Sequence, residues 1–189
     1  MKKVYFLIMF LGILNSIFGQ SQQNPIIGYD KLEWGTSIEV FQKTYPTTRE
    51  ITSERRLIGV REFEQTNLGS GISSRRFSFF NNKFYSASVM YDEINSNSAL
   101  ALAEKIVEIY GKFDNRDEQT FPSGNSTIKM IRFFRYYRNN MNIIFTINDV
   151  YNQYNRVIGN TVLIGYLNPI TRDEVEAAER KQKKDELGL

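Results

Sequence analysis

The chain lacks the two side chains that most often carry acid–base and nucleophilic chemistry, because it contains no histidine and no cysteine. Serine–histidine and cysteine–histidine catalysis are therefore excluded, as are most zinc sites. Glu62 and Glu64 remain as a carboxylate pair on one face of an expected strand, with Cα atoms about 6.5 Å apart. Such a pair would suit a glycan hydrolase. Alternation with Arg61 and Phe63 fits an exposed strand face better, so the sequence favours a protein that is not an enzyme.

Cofactor and metal motifs are also missing from the sequence. No segment resembles a phosphate loop or a dinucleotide fingerprint. The acidic stretch at residues 114–118 lacks the spacing and the glycine of a calcium loop. We therefore expect no cofactor and no bound metal.

The first candidate recognition surface is the stretch at residues 129–138, where four cations recur every third residue among four aromatics. In a strand, Arg132 and Arg138 share one face with Tyr136, while the other two cations point to the opposite face. If that face is exposed, Arg132, Tyr136 and Arg138 would bind an acidic protein or glycan. The alternative is an aromatic inner face that is covered by the arginine stems.

The second candidate is a polar loop at residues 148–155, which is rich in tyrosine and asparagine. Tyrosine rings stack on sugars and apolar groups, and asparagine amides supply both donors and acceptors. Tyr151, Tyr154 and Arg156 are therefore the candidate contacts with an envelope protein or a glycan. Asparagine is also common in such loops because it tolerates turn geometry.

The first 19 residues are typical of a signal peptide, since Lys2 and Lys3 precede an apolar run that is too short to span a bilayer comfortably. We expect cleavage after Gly19 and no transmembrane segment in the mature protein. Without a cysteine the chain cannot be lipidated at the cleavage site. The sequence thus predicts an unlipidated periplasmic or secreted protein.

Charge gives no indication of a nucleic-acid partner. The full chain has 24 basic and 21 acidic residues, and removal of the signal peptide takes away Lys2 and Lys3. The mature net charge is then +1, which provides no broad basic surface. The sequence does not indicate an oligomeric state.

Two amphipathic helices are expected in the body of the chain. Thr36 and Glu39 have the spacing of a capping box, and Pro46 would end that helix. A second helix is expected to begin at Asn97 or Ser98 and to end at Gly111.

Segments of period-two alternation indicate about six strands. They are expected at residues 57–65, around a hairpin at Asn81-Asn82, around a second hairpin at Asn139-Asn140, and at residues 161–167. Alignment of the apolar faces across the first hairpin requires an odd-numbered loop, for which we expect three residues with Asn82 left-handed.

These elements predict an α+β fold, in which an antiparallel sheet of about six strands carries two helices on one face. The helix-then-strands order occurs twice, so a tandem α-β-β-β duplication is one interpretation. A single domain is expected at residues 30–168, after a flexible segment at residues 20–29. Residues 169–189 are expected to form a charged, solvated helix or tail. The predicted core comprises Trp34, Phe41, Phe77, Phe79, Val89, Leu102, Ile106, Ile143 and Phe145.

The Trp34-Gly35-Thr36-Ser37 opening, followed by an amphipathic helix, resembles that of many small exported bacterial proteins. The tandem organisation over residues 30–167 is similar to the beta-lactamase-inhibitor-protein fold and, more distantly, to small outer-membrane-assembly lipoproteins. The chain lacks the disulfide cysteines of the first group and the lipidation cysteine of the second. The resemblance implies a binding or inhibitory module of the cell envelope, without assigning binding residues. A glycan hydrolase and a structural envelope component are the alternatives.

Overall fold

A computed structural model describes residues 26–52, 57–69, 71–137 and 140–188 of the chain. Within these residues the protein is an α+β structure with one large antiparallel sheet, a small two-stranded sheet and three helices. The helices are α1 (Ile38–Thr44), α2 (Ser96–Tyr110) and α3 (Pro169–Leu187). The strands are β1 (Gly28–Tyr29), β2 (Leu32–Glu33), β3 (Arg49–Ile51), β4 (Val60–Thr66), β5 (Ile72–Phe80), β6 (Lys83–Asp92), β7 (Asn115–Ser123), β8 (Ser126–Tyr137), β9 (Asn140–Asn152) and β10 (Val157–Leu167).

The large sheet contains eight strands in the order β3-β4-β5-β6-β10-β9-β8-β7. Each half of the chain contributes one helix followed by four sequential strands, α1 with β3 to β6 and α2 with β7 to β10. The last strands of the two halves, β6 and β10, pair antiparallel at the centre of the sheet. The expected count of about six strands was therefore wrong, and each half has four strands rather than three.

Both β3 and β7 escaped prediction because they are the edge strands of the sheet. Strand β7 contains few apolar residues, and most of its side chains are exposed or half-buried. An edge strand of this kind has no buried face, so its sequence has no apolar alternation to detect. The three-residue strand β3 is too short to show a period.

The helices α1 and α2 pack on the same face of the large sheet, which we call the helix face. Phe77, Ala87, Tyr166, Ile143 and Arg135 are successive cross-strand neighbours from β5 to β8, and all of them lie on this face. In the first half, Phe41 of α1 is fully buried, with ring centroids 4.9–5.1 Å from three sheet phenylalanines. In the second half, three residues of α2 pack against the aliphatic and aromatic side chains of β8 to β10, namely Ala99, Ala103 and Ile106.

Most of the predicted core is confirmed by these clusters. The residues that are buried as predicted are Phe41, Phe77, Phe79, Val89, Ile106, Ile143 and Phe145. Trp34 and Leu102 are only partly buried, although they pack against the core. The Trp34 indole N–H donates to the carbonyl oxygen of Ile26 at 2.6 Å, so its polar group is satisfied inside the protein.

The third helix, α3, packs on the opposite face of the sheet, which we call the open face. Val175 is fully buried there against Val60, Phe80 and Tyr85. The side chain of Gln182 accepts a hydrogen bond from the backbone N–H of Ile58 at 3.1 Å. The helix is charged and largely exposed, as expected, but it is anchored on the sheet rather than wholly solvated. None of the helices in the described part of the chain is long and apolar enough to cross a membrane.

The helix starts differ from their predicted positions because other side chains provide the N-caps. Ser37, rather than Thr36, caps α1, and Thr36 instead donates its hydroxyl hydrogen bond to the carbonyl oxygen of Glu33. Asn95 caps α2, so this helix begins at Ser96. The C-terminal ends agree better with the sequence, since Gly111 follows α2 as predicted, with a φ of 92°.

The β5–β6 hairpin has a two-residue turn, so the expected three-residue loop was wrong. Asn81 and Asn82 are both left-handed, with φ of 48° and 64°, as a type I′ turn requires. The extra residue lies in the strands, because the register shifts between Ser78 and Phe79. This bulge places Phe79 and Phe84 together on the helix face. It therefore aligns the apolar faces of the two strands, which an odd-numbered loop was expected to do.

Candidate functional site

The β9–β10 hairpin extends beyond the centre of the large sheet. The ladder between β6 and β10 ends where Asp92 lies opposite Thr161, and the Glu93 N–H just beyond it still donates to the carbonyl oxygen of Asn160 at 2.9 Å. Residues 157–159 lie beyond these contacts. Three residues of strand correspond to about 10 Å of extension. On the other side, β8 continues to pair with β9 as far as Asn152. The hairpin is therefore supported along one edge and free along the other.

The turn at the tip of this hairpin is fixed by the side chain of Asn152. Its amide oxygen accepts hydrogen bonds from the backbone N–H groups of Tyr154 at 2.9 Å and Arg156 at 3.0 Å. Its backbone N–H donates to the carbonyl oxygen of Arg156 at 2.9 Å, and Asn155 is left-handed with a φ of 57°. The turn thus has a defined conformation without help from the rest of the protein.

This tip presents apolar side chains to solvent, and we call Tyr154, Arg156, Val157 and Ile158 the hairpin tip. The exposed fractions of Tyr154, Val157 and Ile158 are 72%, 54% and 59%. Arg156, the fourth member, is also exposed. Two predicted recognition residues, Tyr154 and Arg156, therefore lie on an exposed surface, and two aliphatic residues adjoin them.

The third predicted loop residue, Tyr151, lies on β9 rather than in the turn. It is half-buried on the helix face, and its hydroxyl hydrogen-bonds to Asp149. Burial raises the pKa of Tyr151, and the charge and hydrogen bond of Asp149 raise it further. Burial also raises the pKa of Asp149, although Lys129 opposes that shift. Tyr151 therefore belongs to a small polar cluster that supports the hairpin.

The strand candidates Arg132 and Tyr136 lie on the open face, as their alternation predicts. The Arg132 guanidinium stands over the Phe134 ring, with its central carbon 5.7 Å from the ring centroid, and forms an ion pair with Asp117 of β7. The charge of Arg132 is thus already paired inside the protein, and binding of an acidic partner would compete with Asp117. Arg138 lies outside the described residues.

The strand and loop candidates do not form one surface. Arg132 pairs with Thr146, whereas the turn begins at Asn152, opposite Ser126. The six residues between these positions on β9 span about 20 Å. The sequence gives no indication of this separation, because both stretches have similar aromatic and basic composition.

Glu62 and Glu64, the carboxylates of the hydrolase alternative, both lie on the open face of β4, but their surroundings differ. Glu62 is buried and accepts a hydrogen bond from the Ser78 hydroxyl at 3.3 Å. Glu64 is held by Arg49 at 2.9 Å and by Arg76 at 3.9 Å. Paired carboxylates of a glycan hydrolase must both reach the sugar from one cleft, whereas here one is buried and the other is engaged by two cations.

Comparisons with family models, with curated proteins and with solved structures gave no match for this chain. The resemblance based on Trp34, Gly35 and Ser37 therefore remains a prediction. Functional interpretation depends on the geometry of the protein itself.

Sequence reasoning missed two members of the hairpin tip, Val157 and Ile158. Apolar residues at the start of a strand are normally assigned to the core, and these two follow a polar loop directly. They are exposed because β6 ends before it reaches them, which is a consequence of tertiary structure. Their position in the sequence could have indicated this exposure. They precede Gly159 and Asn160, whereas the alternating buried residues of the strand begin only at Val162 and Ile164.

Proposed function

We propose that the protein is an exported, non-enzymatic binding module of the cell envelope that recognises a partner protein with the hairpin tip. The observation that carries this proposal is the combination of a fixed turn with exposed apolar and aromatic side chains. A turn that is already ordered loses little conformational entropy on binding. Tyrosine and arginine are also, with tryptophan, the residue types that are enriched among interface hot spots.

The chemistry of the tip favours a protein partner over a glycan. Val157 and Ile158 add exposed aliphatic surface beside Tyr154, and burial of such surface stabilises a complex by about 25 cal/mol per Å². A sugar would use the tyrosine but would leave the aliphatic groups without suitable contacts. A projecting hairpin fits into a concave apolar site, and occupation of an enzyme cleft in this way would be inhibitory.

Charge plays a minor part in this recognition. Arg156 is the one cation of the hairpin tip, and interactions between exposed charges are screened within about 8 Å at physiological ionic strength. Affinity should therefore fall only slightly as salt is raised. A strong salt dependence would instead favour capture of an acidic partner by arginines such as Arg132.

We also propose that the two halves arose by tandem duplication of a helix-plus-four-strand unit. The strand order places β6 and β10, the last strand of each half, side by side and antiparallel. Each unit alone would leave one face and a central edge of its sheet uncovered, and pairing of the two units covers that edge. Separate expression of the two units would test this origin through their ability to associate and refold together.

The partner can be identified by site-specific photo-crosslinking in envelope preparations from the native host. A photoreactive phenylalanine analogue is introduced at Tyr154, and in a matched control at Ile170, an exposed residue on α3. A cross-linked protein obtained from position 154 and not from position 170 would support the proposal. The adduct should weaken when Ile158→Ala is added, because that change removes a neighbouring contact but leaves the turn intact.

Equal adducts from both positions would contradict recognition by the hairpin tip. Loss of the adduct in 0.5 M salt would also contradict it, because the proposed contact is mainly apolar. Tyr154→Phe should preserve most of the affinity, because it retains the ring, and this variant separates stacking from hydrogen bonding.

A further inference from the structure

Four tyrosines converge on the helix face where the two halves of the protein meet. They are Tyr29 of β1, Tyr91 of β6, Tyr110 at the end of α2 and Tyr166 of β10. The ring centroids of Tyr29 and Tyr166 are 5.0 Å apart, and those of Tyr110 and Tyr166 are 6.1 Å apart. Together with Arg75 of β5, these residues form what we call the tyrosine groove.

Arg75 of β5 lies on the same face, opposite Val89 of β6. Tyr91 is two residues further along β6 than Val89. Its positive charge acts on both Tyr29 and Tyr91, and it lowers the pKa of each against the larger, opposing effect of burial. The guanidinium therefore lies within electrostatic reach of the hydroxyls of Tyr29 and Tyr91.

The hydrogen-bonding capacity of Arg75 is unused by the residues that the structure describes. A guanidinium group has five N–H donors, yet the nearest anion, Asp30, lies 3.8 Å from Nη1, beyond hydrogen-bond distance. The buried Nε has no partner. Asp30 itself accepts the hydroxyl hydrogen bond of Tyr45 at 2.7 Å. The buried Oε1 of Gln65, directly opposite Arg75 on β4, also lacks a partner. The Arg75 side chain is 25% exposed, so its Nη groups are the donors that a partner from outside the chain can reach.

The tyrosines are suited to donate hydrogen bonds to that partner. Burial raises the pKa of Tyr29 to about 12, and it also raises the pKa of Tyr91, Tyr110 and Tyr166. Their hydroxyls therefore stay protonated at any physiological pH. The rings offer flat apolar surfaces beside these donors.

Surface clefts adjoin two of the four tyrosines, Tyr91 and Tyr110. One cleft of about 480 Å³ is lined by Tyr91 together with Lys105 and Leu102 of α2. A second cleft of about 350 Å³ is lined by Tyr110 and by the β1–β2 hairpin, including Asp30. Either volume lies within the range of small-molecule sites.

We propose that the tyrosine groove binds a small ring compound that bears a carboxylate. The carboxylate would accept hydrogen bonds from Arg75, where planar guanidinium and carboxylate groups match in geometry. The ring would stack on the tyrosines, whose hydroxyls would donate to its substituents. This site is separate from the hairpin tip and does not depend on the protein-recognition proposal.

The test uses benzoate and glucuronate as probes for an aromatic and a sugar ring, with acetate as the carboxylate without a ring. Binding to the full mature chain is measured by calorimetry and by shifts of the tyrosine ring signals in NMR spectra. We expect a Kd of about 1 mM or lower for at least one ring compound. Acetate should bind at least about tenfold more weakly.

Arg75→Gln should weaken binding at least tenfold, whereas Arg76→Gln should change it less than twofold. Arg76 is the matched control, because it follows Arg75 on the same strand but points to the open face, where it contacts Glu64. Tyr91→Phe keeps the ring and removes only the hydroxyl, so it provides a second variant if Arg75→Gln unfolds. Tyr154→Ala should leave this binding unchanged.

Failure of both ring compounds to bind at about 10 mM would overturn the proposal. Equal weakening by Arg75→Gln and Arg76→Gln would do the same, since the loss would then reflect general charge. Binding of acetate as tight as that of the ring compounds would rule out the stacking that the tyrosines are proposed to supply.

Discussion

The two halves of the protein have the same order of elements but differ in their cover by the C-terminal helix and in the length of their strands. In the first half, α3 covers one end of the open face and buries Val60 and Phe80, and ion pairs occupy much of the remainder. In the second half, the strands are longer, with 12, 13 and 11 residues in β8, β9 and β10. Their additional length carries the hairpin tip beyond β6. The comparison indicates that the C-terminal helix stabilises the first half, whereas the proposed recognition surface belongs to the second half.

The helix-face cores also differ in composition. The first half is packed by aromatic rings around Phe41, whereas α2 contributes mainly aliphatic and alanine side chains. A short helix such as α1, with seven residues, is not stable by itself and depends on this packing. The longer α2 distributes its contacts over four turns.

The largest expected effect is therefore on the first half. Phe41→Ala should destabilise the protein by about 3–5 kcal/mol, because it removes the central ring of the aromatic cluster. Ile106→Ala in α2 should cost about 2–5 kcal/mol and leave more of its helix in place. Denaturant unfolding of both variants provides the measurement. A cost below about 1 kcal/mol for Phe41→Ala would show that the two cores do not differ as described.

Two valines give a smaller and more closely matched comparison. Val175→Ala, at a fully buried position of α3, should cost about 2 kcal/mol from lost burial and the cavity that remains. Val157→Ala, at the exposed hairpin tip, should stay within about 0.5 kcal/mol. Thermal unfolding measures both. Equal effects of the two substitutions would mean that α3 is not anchored on the sheet or that the hairpin tip is covered.

The smallest expected effects are pH-dependent and concern the polar cluster that supports the hairpin. Burial raises the pKa of Asp149, so this carboxyl stabilises the folded state at low pH and loses that contribution as pH rises through its folded pKa. Asp149→Asn should therefore be more stable than the original protein at pH 7, and the difference should vanish near pH 3.

Glu118 should show the opposite sign. The hydrogen bond from Lys129 lowers the pKa of Glu118, so its contribution is present above its ordinary pKa and is lost as pH falls. Glu118→Gln should be less stable than the original protein at pH 7 and equal to it at low pH. Unfolding midpoints over pH 3–7 test both variants. A shift of the same sign for the two substitutions would contradict the assigned environments.

Much of the fold could be predicted from the sequence because most buried strands and both body helices show clear periodicity. Phe77 and Phe79, for example, alternate with Arg76 and Ser78, and Ile106 lies on one helical stripe. The count of strands could not be predicted, since the edge strand β7 has no buried face. The bulge near Phe79 also could not be predicted. A two-residue turn with a bulge and a three-residue turn without one align the same apolar faces.

The candidate site was only partly predictable for the same kind of reason. Tyr154 and Arg156 could be selected because loop residues of these types commonly recognise partners. The exposure of Ile158 depends on where β6 ends, and the pairing of Arg132 depends on the unpredicted strand that supplies Asp117. Contacts between segments distant in the chain decided both outcomes.

The most direct test of recognition by the second half is the affinity of the cross-linked partner for two double variants. Tyr154→Ala/Ile158→Ala changes the hairpin tip, and Ile58→Ala/Ile170→Ala changes two residues of similar exposure near α3. Calorimetry on the purified partner should show a loss of about tenfold or more for the first pair, as expected of hot-spot residues. The second pair should bind as the original protein does. An unchanged affinity for Tyr154→Ala/Ile158→Ala, with the fold intact, would contradict the assignment of recognition to the hairpin tip.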